Sequence, residues 1–307
     1  MSTTKFSGVV PPVIVPLTPE REVDHASYRR HLERLLEAGV DGLFILGSSG
    51  EVVFSSRERR REILAATQDI VGGRVPVIAG VVDTQTDRVI EHIRDAEEAG
   101  VDAVVATAPF YALAGMDIVE EHFRQLAAAT ELPLYAYDIP VCVHVKLPID
   151  LLVRLGSEGV IAGVKDSSGD DVGFRWLCQA NADAGHPLQL LTGHEVVVDG
   201  AYLSGADGVV PGLANVDPLA YVNQWKAYQN GDWNEVKKIQ DHLARLMHIV
   251  TVTEGVSGFG AGIGGFKTAL QVLGVIGSNQ MPNPFAGLDA GNTEAIRRVL
   301  EETGLIS

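Results

Sequence analysis

The sequence predicts a closed (β/α)8 barrel followed by a C-terminal helical domain. Three observations carry that expectation. Short apolar runs alternate with amphipathic helical patterns, as in a parallel sheet covered on both faces. Eight such runs fall within about the first 210 residues, at the roughly 30-residue spacing of a barrel's repeating unit. One phrase also recurs: Ala38-Gly39-Val40-Asp41-Gly42, Ala99-Gly100-Val101-Asp102-Ala103 and Ser204-Gly205-Ala206-Asp207-Gly208 each precede an apolar run. In each copy a glycine able to adopt positive φ ends a helix and a buried strand follows.

Taken in order, Gly8–Val15 is the first strand candidate and His25–Glu37 the first amphipathic helix. Leu43–Leu46 then precedes the helix Arg57–Val71, and Val75–Ala79 precedes Thr86–Ala99. The fourth unit pairs Val104–Thr107 with Ile118–Thr130. Leu134–Tyr137, Val160–Val164, Leu188–Leu191 and the run at Val209-Val210 complete the set. An open sheet of six or seven strands is the alternative arrangement of the same elements. After Asn215 the strand signal stops, and Pro218–Asn230, Trp233–Val250, Phe266–Ile276 and Thr293–Glu302 read as helices. The expected division is therefore a barrel over residues 1–215 and a helical domain over 216–307. Within the latter, Gly260-Ala261-Gly262-Ile263-Gly264-Gly265 formally matches a dinucleotide fingerprint. It follows a helix, and no acidic residue stands about 20 positions on, so a flexible glycine loop is expected instead.

Composition bounds the function. The 307 residues carry 24 Lys+Arg and 40 Asp+Glu, a formal charge of −16, which argues against binding a phosphate backbone. The basic run Arg57-Glu58-Arg59-Arg60-Arg61 lacks aromatic interleaving and reads as a solvated helix face. With 46% apolar and 21% charged residues the chain has a globular composition. Two cysteines, Cys142 and Cys178, make no disulfide framework and suit a reducing compartment. Met1–Pro12 lacks the pattern of a signal peptide and no stretch is apolar enough to span a bilayer. A cytoplasmic protein acting on a small molecule, with no nucleic-acid or membrane partner, is expected.

In a barrel, reactive groups belong at the C-terminal ends of strands. Gly47-Ser48-Ser49-Gly50-Glu51 after the second strand offers hydroxyls and backbone N–H groups suited to a carboxylate, though serine and glycine also make ordinary turns. Ala108-Pro109-Phe110-Tyr111 brings an aromatic hydroxyl near the rim. Tyr135-Ala136-Tyr137-Asp138-Ile139-Pro140 places Tyr137 at a strand end, where packing is its default use. Gly163-Val164-Lys165-Asp166-Ser167-Ser168-Gly169-Asp170 carries an apolar run directly into a lysine. A desolvated lysine at a barrel mouth is a nucleophilic amine; a surface pair with Asp166 is the other reading. No His-Glu-x-x-His or Cys-x-x-Cys pattern suggests a metal.

Together these motifs, in this order and over essentially the whole chain, resemble the dihydrodipicolinate synthase/N-acetylneuraminate lyase superfamily. These are pyruvate-handling class I aldolases on a TIM barrel, commonly tetramers. The resemblance implies that Lys165 forms a Schiff base with a 2-keto acid, without metal or other cofactor. It implies Tyr137 as the proton shuttle and a hydroxyl relay through Ser48 and Tyr111, the latter from a neighbouring subunit of a homotetramer. Ser49 and the backbone at Val210 would hold the carboxylate and position the adduct. A protonated imine withdraws electrons from C3, so a C3–C4 bond can break or form through an enamine.

Departures from the family pattern bear on the substrate. An arginine five residues after the tyrosine marks the lysine-pathway synthases, and Cys142 stands there. Two of three polyol-binding positions of the sialic acid lyases are Val196 and Gly212, the third being Glu195. Ser167 matches a hydroxyl common in sugar-acid aldolases, so Ser167 and Glu195, with help from His194, are the expected substrate contacts. The expectation is retro-aldol cleavage of a 2-keto-3-deoxy sugar acid to pyruvate and an aldehyde. Dehydration of that substrate, 4-hydroxy-tetrahydrodipicolinate synthase activity and N-acetylneuraminate cleavage are the alternatives. A catalytically silent 2-keto acid binding protein is the reading from another class. Asp138 occupies a position where the family often has asparagine, and nothing in the sequence explains that change.

Overall fold

The computed structural model describes residues 6–307; the first five residues of the expected barrel domain, and of the start inspected for a signal peptide, lie outside the described residues. Eight strands form one parallel sheet: β1 (Gly8–Val9), β2 (Leu43–Ile45), β3 (Val77–Gly80), β4 (Ala103–Thr107), β5 (Leu134–Asp138), β6 (Gly163–Asp166), β7 (Gln189–Thr192) and β8 (Gly208–Val209). β1 pairs with β8 and each later strand with the next. The sheet closes where Pro12 meets Phe44 in a parallel bridge. There Val13 N donates to the Phe44 carbonyl at 2.8 Å, and Phe44 N to the Pro11 carbonyl at 2.9 Å. This is a (β/α)8-like barrel, not an open sheet.

Around it run α1 (His25–Ala38), α2 (Arg57–Val71), α3 (Thr86–Ala99), α4 (Met116–Ala128), the short α5 (Pro140–Val143), α6 (Ile149–Ser157), α7 (Asp171–Asp183) and α8 (Val198–Ser204). Side-chain caps start several of them: Asp24, Ser56 and Asp170 each accept a first-turn backbone N–H. Four further helices follow β8: α9 (Pro218–Gln229), α10 (Trp233–Leu246), α11 (Gly258–Val272) and α12 (Ala290–Glu302). α9 packs against α1 and β1. Among the described residues no helix is long and apolar enough to cross a membrane.

The repeated phrase has a second use that periodicity does not reveal. Gly39, Gly100 and Gly205 do take positive φ, at 84°, 79° and 102°. The aspartate two residues later then bonds to the preceding strand. Asp41 accepts from Val9 N at 2.8 Å, Asp102 from Val77 N at 2.8 Å and Asp207 from Leu190 N at 2.7 Å. Each carboxylate satisfies a backbone donor at the N-terminal rim, where the neighbouring strand begins. The repeat thus ties strands together at the end away from the chemistry.

Several expectations change: the first strand ends at Val9 rather than Val15, and the helix expected over Phe266–Ile276 spans Gly258–Val272. β6 begins at Gly163 rather than Val160. Gly159, at φ 73°, ends α6, and Val160 N folds back onto the Leu155 carbonyl, so Val160–Ala162 approaches the sheet as a connector. Lys165 consequently lies inside β6. The glycine-rich segment expected as a flexible loop is the first half of α11. Gly265 serves close packing: a Cβ there would stand 3.0 Å from the Ile249 carbonyl oxygen. Helix propensity disfavours glycine, and tertiary contact overrides it.

Candidate active site

β5 and β6 pair with Tyr137 opposite Lys165 and Asp138 opposite Asp166. Strand alternation therefore puts tyrosine and lysine on one face and both aspartates on the other. Lys165 is 5% exposed. Its Nζ lies 3.9 Å from the centroid of the Tyr137 ring and 4.7 Å from that of Phe44. Those rings meet edge to face at 6.1 Å. An amine between two aromatic rings is shielded from water and aimed into the barrel mouth. The surface pair between Lys165 and Asp166 does not form; Asp166 bonds to Lys146 instead.

The segment after β2 turns sharply, with Leu46 and Glu51 both at positive φ, 53° and 57°. This turn brings Ser48 Oγ to 3.4 Å from Tyr137 Oη and leaves Ser49 buried. Beneath it Glu51 Oε2 accepts from Lys267 Nζ of α11 at 2.8 Å, and that ammonium also donates to the Gln280 carbonyl at 2.9 Å. Burial pushes the Glu51 carboxyl up and the Lys267 ammonium down, each against the opposing charge of the other. The C-terminal helices therefore support the serine turn directly.

Lys165, Tyr137 and Ser48 thus come together, as the sequence motifs imply. Tyr111 does not join them within the chain; it is 93% exposed at the rim, at φ 73°. Val210 needs a correction. Its N–H donates to the Thr192 carbonyl at 2.7 Å, so it is spent in the sheet and cannot hold a carboxylate. Only the Val210 carbonyl remains to meet an adduct. Ser167 follows β6 with its N–H on the Asp138 carbonyl at 2.8 Å.

Glu195 is turned toward the protein. Its Oε1 accepts from the Gly212 N–H, and its carbonyl accepts from Tyr221 Oη at 3.3 Å and Gln240 Nε2 at 3.2 Å. Its Oε2 is buried without a protein partner. Burial pushes this carboxyl up to about 7, against the Gly212 and Leu213 amides and the charge of Lys165. The same contact explains Gly212: a Cβ there would lie 2.7 Å from Glu195 Oε1 and 2.8 Å from the Phe266 ring. A serine at that position would require the Glu195 carboxylate and the Phe266 ring to shift. His194 Nδ1 bonds to Asp171 at 2.8 Å.

Sequence reasoning missed Phe44, Lys146 and the Glu51–Lys267 pair. Phe44 lies mid-strand in a continuous apolar run, where no polar signal singles it out. Lys267 meets a carboxylate distant in sequence, and Lys146 reaches two strand ends from a segment without secondary structure. Among the described residues no cluster of three or more His, Cys, Asp and Glu side chains is placed to hold a metal ion.

The profile of the dihydrodipicolinate synthetase family matches residues 5–303. The chain belongs to that family. An uncharacterized DapA-like lyase of Halobacterium salinarum is 33% identical over 299 residues, 97% of this chain and 94% of the relative. The 4-hydroxy-tetrahydrodipicolinate synthase of Methanopyrus kandleri is 29% identical over 306 residues, 98% of each chain. Among solved structures, YagE of E. coli K12, a prophage protein of the dihydrodipicolinic acid synthase family in complex with pyruvate, superposes with a TM-score of 0.93. It is 26% identical, with 99% of this chain and 100% of that one covered. This member of the dihydrodipicolinate synthetase family is accordingly a pyruvate-using, class I Schiff-base lyase/aldolase.

Proposed function

We propose that Lys165 is the imine-forming lysine and that the enzyme joins pyruvate to an aldehyde, or cleaves such a product. The observation that carries this is the Lys165 amine packed between the Tyr137 and Phe44 rings, with the Tyr137 hydroxyl in reach of Ser48. The amine attacks the ketone carbon of pyruvate and water leaves, giving the protonated imine. As Tyr137 passes its hydroxyl proton to the Ser48 relay it takes a C3 proton, which forms the enamine, whose C3 attacks the aldehyde. The relay returns a proton through Tyr137 to the new alkoxide, and water releases the product and restores the lysine. Ser49 and neighbouring amides of its turn bind the carboxylate. Tyr111 of a second subunit extends the Tyr137–Ser48 relay.

For the aldehyde, relatives named 4-hydroxy-tetrahydrodipicolinate synthase support aspartate semialdehyde more than the sugar acid expected from the sequence. The synthase reading therefore stands first. The sugar-acid reading stands second on one observation: Cys142 is an exposed thiol in α5 and supplies no cation for a second carboxylate.

One set of assays tests both levels. Pyruvate with borohydride is expected to add the mass of reduced pyruvate to Lys165, and Lys165→Ala to abolish adduct and turnover. A full-strength adduct on that variant, or one mapped to Lys146 or Lys267, defeats the assignment. A kcat/KM for aspartate semialdehyde at or above that for five- and six-carbon 2-keto-3-deoxy aldonates supports the synthase. A tenfold preference for the aldonates, worth about 1.4 kcal/mol, supports the second reading.

A further inference from the structure

The aspartate that the sequence leaves unexplained has a partner in the fold. Asp138 is fully buried, 0% exposed, and Asp166 is nearly so at 4%. They stand opposite one another in the β5–β6 register, one residue after Tyr137 and Lys165. Two buried carboxylates side by side repel, and unpaired buried charge is costly; the Lys146 side chain that reaches them is 39% exposed. Lys146, on the segment between α5 and α6, resolves this. Its Nζ donates to Asp138 Oδ2 and, at 3.2 Å, to Asp166 Oδ2.

The remaining carboxylate oxygens are also used. Asp138 Oδ1 accepts from Leu147 N at 3.2 Å, and Asp166 Oδ1 accepts from Ser168 N and Oγ, both at 2.8 Å. Burial works to raise the Asp138 carboxyl, and the Lys146 ammonium opposes it; the ammonium is itself held above its ordinary value because the two carboxylates outweigh its own desolvation. The cluster lies on the face of the strands opposite Tyr137 and Lys165. The two carboxylates therefore point away from the face that carries Tyr137 and Lys165.

We propose that Lys146 is a positioning residue: it bridges Asp138 and Asp166 so that the ends of β5 and β6 hold the Tyr137 hydroxyl in register with the Lys165 amine. The bond that matters spans the two strands whose next residues inward carry the imine and the proton. A displacement of about 1 Å at such a pair costs on the order of a hundredfold in rate. The effect of the bridge thus falls on proton transfer and leaves imine formation nearly intact. The proposal rests on Lys165 and Tyr137 having the roles given above.

The test uses the full-length protein and pyruvate alone. Exchange of pyruvate C3 protons for deuterium reads imine formation plus proton transfer, and borohydride trapping reads the imine. Wild type is expected to do both, with the adduct on Lys165; failure of wild type to trap there overturns both the active-site reading and this proposal. K146M is expected to lower the maximal exchange rate at least about tenfold. Its half-saturating pyruvate concentration should change less than about threefold, and its adduct should still form on Lys165. K146R, which restores the bridge, is expected to recover the rate to within about threefold of wild type. An exchange rate in K146M less than tenfold below wild type overturns the role of Lys146 alone. So does a loss matched by the loss of folded protein that K146R fails to recover. Should K146M not fold, D138N/K146M removes one buried carboxylate with the ammonium and is read against the same tenfold threshold.

Discussion

At the scale of single residues, the proposed chemistry depends on a few hydroxyls and carboxyls whose surroundings differ sharply. Tyr137→Phe keeps the ring beneath the Lys165 amine and deletes only the hydroxyl near Ser48. Positioned acid–base groups contribute about 10²–10⁴-fold, so kcat should fall at least a hundredfold while the Lys165 adduct still forms. Retention of half the rate, with chemistry limiting, reduces Tyr137 to packing. Glu195 predicts a pH effect on stability. Its carboxyl titrates near 7 in the folded chain against 4.5 for an ordinary glutamate. The folded state thus binds this proton more tightly, and the contribution is complete below about pH 4.5 and fades as pH rises toward 7. Glu195→Gln should flatten that part of the Tm–pH curve, measured at constant ionic strength between pH 5 and 7.5. A curve parallel to wild type across that window refutes the assignment.

Secondary-structure elements add what single residues cannot. α11 looks on composition like a poor helix, yet Gly265 lets it approach the chain at Ile249, and its Lys267 reaches Glu51 under the serine turn. The pair is dry on both sides, with side-chain exposures of 0% and 4%. Removing one member of such a pair leaves an uncompensated charge and costs about 3–5 kcal/mol. Lys267→Met should therefore lower the denaturation midpoint strongly and slow turnover by loosening Ser48 and Ser49. Glu51→Gln/Lys267→Met should recover part of the stability, since both charges are gone. Additive losses in that cycle would show that the residues act separately. The aspartates of the repeated phrase work at the opposite rim, where they satisfy strand N–H groups and have no route to the chemistry.

For the molecule as a whole, barrel closure gathers residues from β2, β5 and β6 at one mouth, but Tyr111 is left outside it. A side chain so exposed, on backbone held at positive φ, fits a role across a subunit contact. Leu113, two residues on, is also an exposed apolar residue. Light scattering should report at least a dimer at assay concentrations, with a tetramer the expectation from the family likeness. Tyr111→Phe should slow turnover without changing that assembly. A monomer that keeps full specific activity on dilution would defeat a role for Tyr111 in trans.

What the sequence determined by itself is what local pattern encodes. Continuous apolar strands, amphipathic helices of matching length and helix-ending glycines specify a parallel barrel, because each is set by residues within a few positions of one another. The motif order also singled out Lys165, Tyr137 and Ser48, which the fold brings within reach of one another. Tertiary structure decided the rest. That Val210 spends its N–H in the sheet, that Glu195 turns to the Gly212 N–H, and that a glycine run becomes a helix all depend on neighbours far along the chain. The clearest case is Asp138, without explanation as a substitution and yet the partner of Lys146 and neighbour of Asp166. Burial and charge pairing act through space, and their energies are fixed only when the closed sheet brings distant groups into contact in a medium from which water is excluded.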